Sequence, residues 1–301
     1  MGGPIRLVAV DLDGVVWLGG VVLPDAAAAL SAVVRRGLDL RYVTNNSTAH
    51  RDDVSERLAA AGLPAGAGRV LTSGFVTGQW LRQRLPAGAL VLVVGEAGLM
   101  RELTEAGLAP MRAGEPGAPP AAAQTAPAQA APGDLALLLP VAPPATPFQA
   151  VVVGMDRNFS YRALAQAQAA ILAGALFVGT NPDPTFPTPQ GLLPGAGSVV
   201  AAVATATQRE PVYMGKPGLS MAEILAKVTG IPAGQTLFIG DRMSTDIGMG
   251  IRAGMATALV LTGITSAAEL AKIQAAGGPN LPDHVLNTLA DLPPLLDSLG
   301  L

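Results

Sequence analysis

Cysteine is absent from all 301 residues. That removes disulfides, thiolate nucleophiles and cysteine-based zinc sites. Histidine is nearly absent too: His50 and His284 are the only two, too few for a histidine-rich metal cluster. A bound metal must then be held mainly by oxygen, which points to Mg²⁺ or a similarly hard cation. No run of five Lys or Arg occurs and the net charge is −3, so the electrostatic footprint of a nucleic-acid partner is missing. Uninterrupted apolar runs are also lacking. The longest, around Leu135 to Val153, is cut by Pro140, Pro143, Pro144 and Pro147, and cannot form a spanning helix. The short apolar run before Asp11 does not read as a signal peptide. A cytoplasmic protein without a membrane partner is therefore expected.

What is present is apolar: 50% of the residues, against 14% charged. Such a chain can bury a large core, and its length favours two domains. Ile5–Val10 reads as a strand buried on both faces, as in parallel sheets. Helical spacing over Pro24–Arg36 stops at Gly37. Strands at Leu38–Val43 and Val70–Leu71 alternate with helices at Arg51–Ala61 and Val76–Leu85, which predicts a parallel α/β sheet. A second alternation begins at Leu90–Val94, continues with a helix at Ala97–Ala106, and resumes at Val151–Val153, Tyr161–Ala173 and Leu176–Val178. Between them, Ala113–Pro147 is built largely from Ala and Pro and reads as an insertion without a core of its own. After a helix at Gly197–Thr207, strands are predicted at Val212–Met214, Thr236–Ile239 and Thr257–Leu261, with a helix at Leu219–Val228 between the first two.

Four polar clusters sit at the C-terminal ends of predicted strands, where open α/β sheets bind ligands. Asp11-Leu12-Asp13-Gly14 offers two carboxylates at i and i+2. Such a pair suits a nucleophile and a proton donor, a metal site, or an ordinary acidic turn. Thr44-Asn45-Asn46-Ser47 can give hydrogen bonds to phosphate oxygens, or can cap the next helix. In Gly215-Lys216-Pro217, Lys216 is either a point charge for the site or a surface lysine in a turn. In Gly240-Asp241-Arg242-Met243-Ser244-Thr245-Asp246, two carboxylates five residues apart can complete an oxygen-rich Mg²⁺ site, or can cap a helix.

In that order the four clusters resemble the haloacid dehalogenase superfamily of phosphohydrolases. The resemblance is to the branch of NagD-like, 4-nitrophenylphosphatase-like, phosphoglycolate and pyridoxal phosphatases. Val152-Val153-Gly154-Met155-Asp156 and Gly179-Thr180-Asn181-Pro182-Asp183 extend it across the chain. It implies a Rossmann-like α/β core of parallel strands, 1–85 and 211–301, with an inserted α/β cap of the C2 type at 86–210. It also implies roles. Asp11 would be the nucleophile and form an aspartyl-phosphate. Asp13 would protonate the leaving oxygen and then deprotonate the hydrolytic water. Thr44 and Asn45 would hold the phosphoryl group, with Asn46 beside them, and Lys216 would hold Asp11 and the phosphate. Asp11, the Asp13 backbone carbonyl and Asp241 would ligate Mg²⁺, with Asp246 as a direct or indirect partner. Asn181, Asp183 and Phe186, on a cap loop over the substrate, are candidates for leaving-group contact. Stiffening by Pro182, Pro184, Pro187 and Pro189 is the plainer reading of that loop. The implied substrate is a small phosphorylated metabolite and the implied assembly a homodimer. A phosphotransferase or phosphomutase on the same fold, and a non-catalytic phosphometabolite-binding module, are the alternatives.

Overall fold

The computed structural model describes residues 3–115, 146–188, 191–277 and 280–301. Most of the Ala/Pro-rich insertion, and the reading made of it, lies outside them. The chain opens with β1 (Leu7–Asp11), every residue of it buried. There follow a hairpin of β2 (Trp17–Leu18) and β3 (Val21–Val22), then α1 (Ala26–Arg35), β4 (Asp39–Thr44), α2 (Arg51–Ala60), β5 (Val70–Thr72) and α3 (Ser73–Arg82). The second unit contains β6 (Leu90–Val94), α4 (Ala97–Glu105), β7 (Ala109–Arg112), β8 (Ala150–Val153), α5 (Tyr161–Leu172) and β9 (Leu176–Gly179). A hairpin of β10 (Thr185–Thr188) and β11 (Gly191–Pro194), helix α6 (Ala196–Thr207) and β12 (Val212–Tyr213) complete it. The chain then returns through α7 (Leu219–Thr229), β13 (Thr236–Gly240), α8 (Gly248–Ala253), β14 (Ala256–Val260), α9 (Ala267–Ala275), β15 (His284–Leu286) and α10 (Leu292–Ser298).

Two parallel sheets result, as expected. The first has the order β15-β14-β13-β1-β4-β5, and the second, inserted after α3, the order β12-β9-β8-β6-β7. β12 lies beyond residue 210 and pairs with β9 of the inserted sheet. One apolar cluster draws on both sheets, with Leu7, Val43 and Phe238 from the first and Val91, Val152 and Val178 from the second. The units therefore share buried surface. They approach closely at Gly98, where a Cβ would collide with the backbone of residues 48–50. Among the described residues no helix is long and apolar enough to cross a membrane.

Three local expectations need correction. α3 starts at Ser73 rather than Val76, because the Thr72 hydroxyl accepts a hydrogen bond from the Phe75 N–H and caps it. α2 is capped by His50, whose Nδ1 accepts from the Asp52 N–H, so Thr44–Ser47 is not a helix cap. Part of the proline-rich stretch from Asn181 to Gly191 is a strand, paired with Gly191–Pro194. A two-stranded ribbon leaves one edge of each strand unpaired, which is where proline is tolerated.

Candidate active site

β1 lies between β13 and β4 in the first sheet, with Asp11 in register with Val43 and Val10 with Ile239. The C-terminal ends of these three strands therefore open side by side. They deliver Asp11, Thr44 and Asp241 to one cavity of about 530 Å³, roofed by residues of the inserted unit. Asp11, Asp13, Thr44, Asn45, Asn46, Lys216, Asp241, Asp246, Asn181, Asp183 and Phe186 all line it. Sequence reasoning left out Leu18, Arg57, Arg157 and Ile264, which line it too, and quoted Met155 only as part of a motif. Arg242 was quoted only as part of a motif and also faces the cavity.

Lys216 is buried, not a surface lysine. Its Nζ stands 2.6 Å from Asp11 Oδ1 and 2.8 Å from Asp246 Oδ1. Burial alone would pull the ammonium down, but the two carboxylates outweigh it and hold Lys216 above the ordinary lysine value. Asn45 fixes the lysine backbone: its Oδ1 accepts from the Lys216 N–H at 2.8 Å, and its Nδ2 donates to the Lys216 carbonyl at 2.9 Å. The same Nδ2 donates to Asp183 Oδ2 at 2.7 Å, and Arg242 reaches Asp183 Oδ1 at 3.2 Å. The Asn45 amide is thus committed to protein partners. Asn181 is as well: it donates to the Asn45 carbonyl at 2.7 Å and accepts from the Asp183 N–H. Thr44 Oγ1 accepts from the Asn46 N–H at 3.1 Å and has its own O–H left to give. Asn46 is exposed to the cavity.

The carboxylates exceed the cations. Asp11, Asp241 and Asp246 can bring ligand oxygens within 4.8 Å of one another, and all three are buried. Against them stands the single ammonium of Lys216. Two unit charges of like sign at 4 Å repel by about 4 kcal/mol at an effective dielectric of 20. Burial pushes the Asp11 carboxyl well above its usual range, Lys216 opposes, and Asp246 and Asp241 add to the rise. Asp241 is pushed up to about 7, first by burial and then by Asp246. A hard divalent cation fits this donor set, because it removes the excess charge through oxygen ligands. The backbone is shaped to suit. A Cβ at Gly14 or Gly263 would collide with the Asp241 carboxylate, and one at Gly240 with Asp246. Asp246 also accepts from the Arg242 N–H at 3.0 Å, at the head of a π-helical turn, Met243–Ile247. It therefore shapes its loop as well as facing Lys216; single π turns recur at functional sites.

Asp13 is apart from this group. It is exposed at the cavity, and Trp17 Nε1 donates to its Oδ1 at 2.9 Å. Desolvation by surrounding atoms pushes its carboxyl up, opposed by the Trp17 bond and by the charges of Lys216 and Arg57.

Comparison with known proteins agrees with this geometry. The family described as Haloacid dehalogenase-like hydrolase matches residues 8–109, and that described as HAD-hydrolase-like matches 213–292. The chain is 38% identical over 298 residues to the glycerol-3-phosphate phosphatase of Gallus gallus, covering 95% of this chain and 90% of that one. The p-nitrophenyl phosphatase from Archaeoglobus fulgidus superposes with a TM-score of 0.79 at 28% identity, covering 96% of this chain and 98% of that one. A glycerol phosphate phosphatase from Mycobacterium tuberculosis, solved in complex with magnesium, superposes at 0.77 with 32% identity, over 96% and 76% of the two chains.

Proposed function

The chain belongs to the haloacid dehalogenase-like hydrolase family, and from that premise we infer that it is a magnesium-dependent phosphatase of small phosphate monoesters. The observation that carries the reading is the buried Asp11–Lys216–Asp246 chain beside Asp241, in a cavity sized for a small metabolite. Glycerol 3-phosphate and similar short phosphate esters are the proposed substrate class, after the relatives named above.

In this reading Asp11, Asp241 and Asp246, with the Asp13 backbone carbonyl, hold Mg²⁺. The ion supplies positive charge against a phosphate that three carboxylates would otherwise repel. Asp11 is the nucleophile. Its Oδ1 is tied to Lys216 and to the Leu12 N–H at 2.7 Å, while Oδ2 has no hydrogen bond among the described residues and is the attacking oxygen. Lys216 steadies that carboxylate and neutralises part of the incoming charge. Thr44 donates a hydrogen bond from its hydroxyl to a phosphoryl oxygen. Asn45 acts through Lys216, whose backbone it pins, rather than on phosphate with its amide. Asp13, protonated, gives its proton to the departing ester oxygen as the P–O bond breaks, then takes one from the water that opens the aspartyl-phosphate. Asn46 and Phe186 meet the leaving group, and Asp183 fastens the cap loop to the core through Asn45 and Arg242. The division into core and cap near residues 85 and 210, a homodimer and a cytoplasmic location belong to the same reading and rest on the family resemblance. Light scattering tests the homodimer.

The test is phosphate release from glycerol 3-phosphate and 4-nitrophenyl phosphate, with Mg²⁺ and with EDTA. Release that needs Mg²⁺ is expected. No release, or release unaffected by EDTA, overturns the reading. Phosphate found on an added sugar acceptor would mark a phosphotransferase, and tight binding without turnover a binding module.

A further inference from the structure

Asp13 has one hydrogen bond among the described residues, and it comes from a side chain outside the four motifs. The backbone from Leu12 to Trp17 closes tightly. The Val16 and Trp17 N–H groups both donate to the Leu12 carbonyl, and the Gly14 N–H donates to the Trp17 carbonyl at 2.7 Å. Gly14 has φ 88°, which favours glycine and lets the chain double back. The turn brings the indole of β2's first residue back to Asp13 Oδ1. Trp17 is buried at 3% exposure, so its ring is fixed by packing.

Arg57, on α2, lies over that ring with its guanidinium carbon 4.0 Å from the centroid, and it lines the cavity. The neighbouring arginines are spent on carboxylates: Arg157 on Glu96 at 2.5 Å, and Arg242 on Asp183 at 3.2 Å. Arg57 has no carboxylate ion pair among the described residues. A cation on the face of an indole draws electron density from the ring. Its N–H becomes a better donor, aimed here at Asp13.

We propose that Trp17, backed by Arg57, is the positioning residue that orients Asp13 for proton transfer; this rests on the phosphatase reading above. The indole N–H only donates, so Oδ1 is committed as an acceptor and the transferable proton resides on Oδ2. When Asp11 attacks phosphorus, the Asp11 O–P bond forms and the ester P–O bond breaks. The leaving oxygen takes the Oδ2 proton, and Asp13 becomes a carboxylate. When water attacks the aspartyl-phosphate, the water O–P bond forms, the same oxygen takes a proton from that water, the Asp11 O–P bond breaks, and inorganic phosphate leaves. Trp17 exchanges no proton in either step.

Leaving groups differ in their need for that proton. An alkoxide such as that of glycerol must be protonated as it departs, while 4-nitrophenolate leaves without help. The experiment therefore compares kcat/KM, which reports the first phosphoryl transfer, for 4-nitrophenyl phosphate and for glycerol 3-phosphate. Trp17→Phe keeps the aromatic ring and removes the donor. The ratio of the two values is expected to rise about ten-fold over wild type, the worth of one hydrogen bond to a charged group. A ratio equal to wild type overturns the proposal, including the case where both values fall together. If Trp17→Phe does not fold, exposed Arg57→Met decides. It should raise the ratio about two- to three-fold, and an unchanged ratio overturns the proposal. Wild-type protein that releases phosphate from neither ester would instead defeat the phosphatase reading itself.

Discussion

Two clusters in this molecule contain the same kinds of residue and have opposite characters. Both the Asp11–Asp241–Asp246 group and the His50–Glu102–Glu105 group could bring metal-binding atoms within 4.8 Å of one another. In the second, each carboxylate already has a cation. Glu102 Oε2 is 2.6 Å from Arg51, whose second nitrogen is paired with Glu105, while Arg101 bonds Glu105 at 3.2 Å and also pairs with Asp52. His50 Nε2 has no hydrogen bond among the described residues but faces Glu105 at 3.3 Å and Glu102 at 3.6 Å. In the first, one lysine pairs with two of three buried carboxylates, Asp11 and Asp246, and Asp241 has no ion pair among the described residues. Proximity of ligand atoms does not separate a site from scaffolding here. The count of partners does. A buried group left short of counter-charge is costly, and such groups persist where function needs them.

The sharpest way to break this comparison is Asp11→Asn. Loss of the nucleophile should lower turnover by at least about 10³-fold. The fold should persist, with a thermal midpoint no lower than wild type. Burial already holds the Asp11 carboxyl well above its usual range, so its charge opposes folding, and a neutral amide relieves that opposition. Wild-type turnover would remove Asp11 from its role, and a collapsed midpoint would mean that the cluster is scaffolding after all.

Next in size is the response to Mg²⁺, and it carries a sign. Asp241 titrates near 7 in the folded chain without metal, above its ordinary value of 3.8. A raised carboxyl contributes stability at low pH that is lost as pH rises through the folded value. The metal-free protein should therefore lose stability between about pH 4 and pH 7 through this group. Mg²⁺ competes with the proton there and should restore it. At a concentration 100 times its Kd a ligand contributes about 2.7 kcal/mol. Differential scanning should show a larger rise in midpoint with Mg²⁺ at pH 8 than at pH 5.5. An equal rise at both would separate metal binding from Asp241.

The Asp11 and Asp241 motifs of this site were legible in the sequence because each follows an apolar strand that reads as central. Leu7–Asp11 and Thr236–Gly240 are buried along their whole length, and runs of that kind announce parallel strands. What was not legible depends on chain segments far apart. Arg57 and Arg157 reach the cavity from α2 and from the loop after β8, and nothing local marks them. The hairpins escaped for another reason: β2 and β3 have two residues each, too few for an alternation to show, and β10 contains a proline. Lys216 is the instructive case. A single lysine in a turn is ordinarily a surface residue, and only the convergence of β1, β4 and the Asp246 loop makes it a buried one. Trp17 had a local signal, lying four residues beyond Asp13 across a glycine turn, and the motif pattern drew attention past it.

The smallest effect expected is at the balanced cluster, and it sharpens the comparison from the other side. Glu102→Gln removes one carboxylate from a group that joins α4 to the start of α2. Gln can still accept from the Arg51 N–H, as Glu102 Oε1 does at 3.0 Å, so that bond is kept. Burial holds the Glu102 carboxyl above its usual range, opposed by Arg51 and His50, so removing the charge also relieves desolvation. Arg51 retains Glu105 and its stack on Phe75 at 4.7 Å, and is not left as an unpaired buried charge. The net change should then be small, within about 1 kcal/mol of wild type in either direction and well short of the 3–5 kcal/mol of an orphaned buried ion. In a chain this long that moves the midpoint by no more than roughly 2–4 °C. Because no atom of Glu102 lines the cavity, kcat/KM should stay within about two-fold of wild type. A larger loss of activity at unchanged midpoint would show that this cluster acts on catalysis, and that partner count fails to divide the two regions.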